Sequence, residues 1–241
     1  LQDQAAIKTR EIQENKSLTD EERLKYTQDL QQALDNAKKQ IQDAENNQAV
    51  SDAKTQGLGN IVAISPYGQV KADALAAIEE AREAKSREIQ SKEGLTAEER
   101  QAAETRLATE VQTAKDSIGQ AADNAGVGNA KSYGLTAIQA IKPEPLTKQA
   151  ANEALENAAQ TKRQQITDNK NLTTQEKQKA IEEVDQALAT AKGKVEQASG
   201  RDDVAQAQAQ GLNAIGDVTG QALKKPQANA DIEAAVVAKR Q

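Results

Sequence analysis

Leu95-Thr96-Ala97-Glu98-Glu99 opens a run of helix-favouring residues that continues to about Ala121. The same signature stands at Leu18-Thr19-Asp20-Glu21-Glu22 and at Leu172-Thr173-Thr174-Gln175-Glu176. The intervals are equal: 95 − 18 = 77 and 172 − 95 = 77. In the middle copy Thr96 is placed as an N-cap with Glu99 three residues on, the pattern of a capping box. Thr19 with Glu22 and Thr173 with Glu176 repeat that spacing. A helix start that returns on a fixed period marks the chain as a tandem array.

The register extends well outside the motif. Ile12, Ile89 and Ile166 align, as do Ala37, Ala114 and Ala191, and Lys38, Lys115 and Lys192. Gly57, Gly134 and Gly211 follow, then Ile61, Ile138 and Ile215. Behind the capping box, apolar residues recur at Ala103, Leu107, Val111, Ala114, Ile118 and Ala121, which is one helical stripe. Tyr26, Leu30, Leu34, Ala37, Ile41 and Ala44 form its counterpart in the first copy, and Ala180, Val184, Leu188, Ala191, Val195 and Ala198 in the third.

A helix before this one, from about Lys71 to Lys92, carries Ala74, Ile78, Ala81 and Ile89 inward, with Lys85 on the same stripe burying its stem. A shorter helix after it, from about Val127 to Ile141, places Gly134 in its middle. Interior glycine costs about 1 kcal/mol relative to alanine. Its return at Gly57 and Gly211 therefore points to close helix crossings. Asn47 and Asn124 are candidate N-caps for this third helix, and Asp202 takes that role where Arg201 replaces them. Pro66, Pro143 and Pro145 stop the third helices before the next unit begins.

The fold class is therefore all-α: tandem three-helix bundles joined end to end in an elongated rod. The units run 1–65 (first helix truncated), 66–142 and 143–219, with 220–241 starting a fourth. With an odd number of antiparallel helices, the chain leaves each bundle at the end opposite to where it came in. A second helix of about 27 residues lets each unit add roughly 40 Å at most.

Composition narrows chemistry. Of 241 residues, none is Cys, His, Met, Trp or Phe, and the aromatics are Tyr26, Tyr67 and Tyr133. No thiol nucleophile, imidazole base, disulfide or ordinary zinc site can be built. Catalytic, cofactor-binding and metal-binding residues are all expected to be none. The acidic residues form no calcium loop, and Gly126-Val127-Gly128 lacks the strand that a dinucleotide loop requires. Asn15-Lys16-Ser17 and Asn171-Leu172-Thr173 match the glycosylation tripeptide, but the middle copy has Lys92-Glu93-Gly94, so both are read as chance. A net charge of −6 with dispersed Lys and Arg argues against nucleic acid. No apolar run approaches a membrane span, and without Met the stretch reads as a piece of a longer protein.

The pattern carried by Lys85, Ile89, Gly94, Leu95, Thr96, Glu99, Ala114, Lys115, Ile118, Ala130, Gly134, Leu135 and Ile138 resembles the domain-of-unknown-function repeat numbered 1542. Val195 departs from it in the third copy. The resemblance implies repeats from a wall-anchored surface adhesin of a Gram-positive bacterium, of the staphylococcal type involved in cell accumulation and biofilm. They would lie outside the cell, anchored through regions beyond this stretch, and form a stalk that carries an adhesive region away from the wall. It supplies no catalytic or ligand residues. The partners so implied are neighbouring repeats of the same chain. Host serum or matrix proteins, met through an exposed face such as that of Lys38, Lys115 and Lys192, and like molecules on other cells are the alternatives.

Overall fold

The structure is a computed structural model that describes residues 1–240. Among these are ten helices and no strand: α1 (Gln2–Glu14), α2 (Asp20–Gln42), α3 (Asn47–Val62), α4 (Gln69–Ser91), α5 (Ala97–Gln120), α6 (Asn124–Gln139), α7 (Leu146–Asp168), α8 (Thr174–Gln197), α9 (Arg201–Asp217) and α10 (Lys224–Arg240). α2, α5 and α8 begin at 20, 97 and 174, and α3, α6 and α9 at 47, 124 and 201. The 77-residue sequence period is thus the period of the helices, and the chain is an all-α array of three-helix bundles.

It divides into two compact units, Leu1–Glu88 with Glu104–Lys142, and Ile89–Ala103 with Pro143–Gln241. In the first, α1, α2 and α3 close around Ala5, Ile12, Leu18, Leu30 and Ile61, with Tyr26, Leu34 and Ile64 against them. The same unit buries Ala74 and Ile78 of α4, Leu107, Val111, Ala114 and Ile118 of α5, and Val127 and Ile138 of α6. In the second unit, α7, α8 and α9 enclose Leu155, Ile166, Leu172, Val184, Val195, Val204 and Ile215. No aromatic side chain is part of that core. It is filled by branched aliphatics and alanine, which lets the helices approach closely.

The approach is closest at the recurring glycines. A Cβ placed on Gly57 would stand 2.5 Å from Ala37 Cβ, and one on Gly134 would stand 2.5 Å from Ala114 Cβ and 2.9 Å from Ile78 Cδ1. At Gly211 it would collide with Ala191 and Leu155. In each bundle, therefore, the third helix crosses the second at a Gly–Ala pair that leaves no space for a methyl group.

Three local expectations shift. The caps of α3 and α6 are Asn46, accepting from Ala49 N at 2.8 Å, and Asp123, accepting from Gly126 N at 2.7 Å. Both lie one residue ahead of Asn47 and Asn124, which already sit inside the helix, while Asn46 and Asp123 keep the extended backbone that a cap needs. At α9 the N-cap is Gly200 rather than Asp202, and the Asp203 carboxylate reaches back to Gly200 N at 3.2 Å. Lys85 is covered along its whole length. Its ammonium donates to the Ile141 carbonyl at 3.2 Å and pairs with Glu88 at 2.7 Å. Lys162 makes the matching bond to Gly216 O at the end of α9. The lysine at this position thus neutralises carbonyls near the end of its own bundle's third helix.

Two glycines of α6 separate crossing from flexibility. Gly134→Ala is expected to destabilise by about 1–3 kcal/mol through overpacking. Gly128→Ala, whose added Cβ meets nothing within 4 Å, should stabilise by about 1 kcal/mol. Chemical denaturation of the two variants followed by circular dichroism checks the opposite signs.

Candidate functional site: the capping turn that meets the next repeat

The Leu-Thr-x-x-Glu turn is built from the core outward. Leu18, Leu95 and Leu172 are buried, and Thr19 and Thr96 are fully enclosed. Thr19 Oγ1 accepts from Glu22 N at 3.3 Å, and Glu22 Oε2 accepts from Thr19 N at 3.0 Å. Thr96 with Glu99 (3.3 and 2.9 Å) and Thr173 with Glu176 (3.3 and 2.8 Å) form the same reciprocal pair. Thr19, Thr96 and Thr173 with Glu22, Glu99 and Glu176 therefore satisfy N–H groups at the starts of α2, α5 and α8.

That reciprocal bond uses one carboxylate oxygen, and the second oxygen reaches the next repeat. Glu22 Oε1 accepts from Val70 N at 3.0 Å, in the first turn of α4. Glu99 Oε1 accepts from Thr147 N and Thr147 Oγ1, both at 2.8 Å, in the first turn of α7. Glu176 Oε1 accepts from Leu223 N at 2.9 Å and Lys224 N at 3.1 Å, at the start of α10. The residue at the N-cap of α7 is Pro145, which makes no side-chain cap of its own. The preceding repeat supplies that cap.

The neighbouring acid contacts a third helix. Glu21 Oε2 accepts from Asn124 N of α6 at 3.1 Å, and Glu98 Oε2 from Arg201 N of α9 at 3.0 Å. Backbone bonds run beside them, from Asp20 N to Ala122 O at 2.9 Å and from Ala97 N to Ser199 O at 2.8 Å. In the first unit, Glu21 and Glu22 thus stand among the N-termini of α2, α4 and α6. In the second, Glu98 and Glu99 stand among those of α5, α7 and α9. Each N-terminus carries about half a positive charge, so an acidic pair is the complementary group.

Cations serve the opposite helix ends. Buried Lys71 donates to Lys16 O at 3.2 Å and to Gly119 O near the end of α5 at 2.9 Å. Buried Lys148 donates to Glu196 O near the end of α8 at 2.6 Å. Arg23 donates to the carbonyls of Ile12 (2.5 Å), Gln13 (2.7 Å) and Asn15 (3.2 Å), closing the C-terminus of α1. Arg100 does the same for Ile89, Gln90 and Lys92, and Lys177 for Thr167. Backbones also touch, since a Cβ on Gly68 would overlap the Ser17 carbonyl. One period on, the small residue changes sides: Gly94, at φ +79°, lies against Pro145.

Sequence reasoning located the threonines and glutamates of the capping boxes but missed the second oxygen, the preceding acid and the lysine. The available signal was the 77-residue recurrence of Lys71, Lys148 and Lys225 at the start of each first helix. Of the lysines considered for a ligand face, Lys115 pairs with Glu79 and Lys192 with Glu156 across helices of their own bundles.

The electrostatics follow the geometry. Burial raises the Glu22 carboxyl, but hydrogen bonds from Thr19, Val70 and Gln69 outweigh it and hold the group below the ordinary carboxylate range. Glu99 is lowered in the same way by Thr96 and Thr147 against its burial. Glu176 is brought from 4.5 to about 2 by the N–H groups of Thr173, Leu223 and Lys224. These oxygens are committed as acceptors for main-chain donors. Among the described residues, no group of His, Cys, Asp or Glu could hold a metal ion, and no helix is long and apolar enough to cross a membrane.

The family profile described as Domain of Unknown Function (DUF1542) matches residues 1–69, 70–146 and 147–222. The chain belongs to this family. It is 30% identical over 188 residues, 78% of its length, to the extracellular matrix-binding protein EbhA of Staphylococcus aureus strain Newman. Over 205 residues, 85% of its length, it is 30% identical to the extracellular matrix-binding protein ebh of strain MRSA252. The chain spans 5% and 2% of those two proteins. No solved structure matches it. The family profile is one of unknown function, and neither it nor these two relatives is described as an enzyme.

Thr96→Ala should cost roughly 1 kcal/mol of stability through the lost cap. The acid dependence has a definite sign. A carboxyl with a depressed folded pKa contributes stability that is complete above its unfolded value and lost as pH falls through the folded one. The contribution of Glu176 should therefore hold above about pH 4.5 and disappear towards about pH 2. Thermal unfolding at stepped pH checks this, and Glu176→Gln should flatten the acid limb.

Proposed function

We propose that the array is a structural spacer in a bacterial cell-surface adhesin, holding an adhesive region away from the cell wall. Its structural repeats are taken as 1–65, 66–142 and 143–219, with 220–241 beginning another. The reading is supported chiefly by the strict recurrence of an odd-helix unit whose turn glutamates Glu22, Glu99 and Glu176 are spent on helix ends. An up-down-up unit passes the chain from one end of the bundle to the other, so added repeats add reach. Wall anchoring and a part in biofilm belong to the same proposal, carried by regions outside these residues.

The matrix-binding names of the relatives favour a second reading, in which the three-helix units themselves hold a host matrix protein. Association with like molecules on other cells is a variant of it.

Small-angle scattering of the chain, and of versions with repeats removed in whole 77-residue steps, separates these. A spacer gives a longest dimension that grows by a constant increment per repeat, and a compact particle of unchanged shape would sink the proposal. Immobilised matrix and serum proteins titrated with the array at micromolar concentration should give no saturable binding. Saturable binding to one of them would favour the second reading, and concentration-dependent sedimentation would favour association between copies.

A further inference from the structure

We propose that the acidic pairs Glu21–Glu22 and Glu98–Glu99 are coupling residues that lock each repeat to the next in a fixed geometry. The inference deepens the spacer reading, because a spacer can be jointed or stiff, and it concerns which of these the chain is. Six residues, 63–68, separate Val62 of α3 from Gln69 of α4. A coil of that length, left undocked, would let its ends wander over an r.m.s. span of about 13 Å.

It is not left undocked. Asn15 Nδ2 donates to Pro66 O at 3.2 Å, and Tyr67 N donates to Tyr26 Oη at 3.3 Å. Beyond these, Glu22 holds the start of α4 and Glu21 holds the start of α6. The first turn of α2 is therefore fastened to two helices of the following repeat that begin 55 residues apart, 124 − 69 = 55. One attachment would allow rotation about it. Two attachments on different helices, with the Asp20 N to Ala122 O bond alongside, remove that freedom. Glu98 and Glu99 fasten the first turn of α5 to α9 and α7 in the same way.

The two acids divide the work. Glu22 and Glu99 also cap their own helices, so their loss would weaken the bundle as well as the joint. Glu21 accepts from the next repeat without belonging to the capping box and reports on coupling more cleanly, whereas Glu98 is also held by its own N–H and by the Thr96 side chain. Protonation is resisted at Glu22 and Glu99, since each carboxylate is held ionised by main-chain donors.

The absence of native cysteine allows site-specific spin labels at Gln28 on α2 and Asn129 on α6, both exposed and on either side of the first joint. Double electron–electron resonance on the full chain at pH 7 should give a single narrow distance distribution. Glu21→Gln should broaden it, and Glu21→Gln with Glu22→Gln should broaden it further, towards the spread of an undocked linker. Thr19→Ala, which removes a cap on α2 but leaves both acids, should lower stability and keep the distribution narrow. Far-UV circular dichroism of each variant verifies that the helices persist. A broad distribution in the parent chain, or a distribution unchanged in the helical double variant, would overturn the proposal. Either outcome leaves the spacer reading standing, the first as a jointed stalk and the second as a stalk stiffened by other contacts. A compact particle in scattering with a narrow distribution here would reject the stalk and keep the lock.

Discussion

A carboxylate has two oxygens, and in this chain they serve two repeats. Oε2 of Glu22 and Glu99 completes the capping box of its own helix, while Oε1 takes a main-chain N–H from the next repeat's first helix. A helix N-terminus offers four N–H groups without intrahelical partners. A cap of this kind contributes about 0.5–2 kcal/mol, and an anion near the dipole adds about 0.3–1 kcal/mol. The cross-helix ion pairs of Lys115 with Glu79 and Lys192 with Glu156 lie at the surface, with 35–59% of each side chain exposed. Pairs of that type contribute about 0–1 kcal/mol. The shared caps therefore outrank these ion pairs, which act inside a bundle, while the caps reach from one repeat to the next.

The interior explains why such help matters. A unit of this size buries only about 60% of its unfolded surface. Here the core is Ile, Leu and Val interspersed with alanine, with no bulky aromatic among its buried residues. Small side chains allow the Gly–Ala crossings at Gly57, Gly134 and Gly211, and close approach compensates through dispersion for what bulk does not supply. The same choice keeps each bundle slender. It also leaves fewer strong contacts per residue, so fastening each bundle to its neighbour adds stability that a single copy lacks. Repeat arrays generally draw their stability from intrinsic and nearest-neighbour terms together.

Much of the fold was legible because its signals are local or periodic. The Thr-x-x-Glu spacing names a helix start, and the stripe from Ala103 to Ile118 names the face that turns inward. Recurrence at 77 residues showed that neither was accidental. The errors of one residue at Asn47 and Asn124 came from choosing between adjacent polar residues, where backbone conformation alone decides which caps. Lys85 reads from the sequence as a lysine that buries only its stem, because the local pattern offers its ammonium the exposed Glu88 and no main-chain acceptor. Its acceptor, the Ile141 carbonyl, lies 56 residues away. The joint stayed hidden for the same reason: Glu22 meets Val70 across 48 residues and Glu21 meets Asn124 across 103.

The amino-acid sequence by itself determined the period, the three helices of each unit, the capping boxes at Thr19, Thr96 and Thr173, and the small residues where helices cross. These follow from interactions three or four residues apart, or from a pattern that can be counted. Tertiary structure alone decided where the second carboxylate oxygen goes. A glutamate at the third position of a helix has a free acceptor whatever surrounds it, and only the docking of the next repeat determines which N–H fills it.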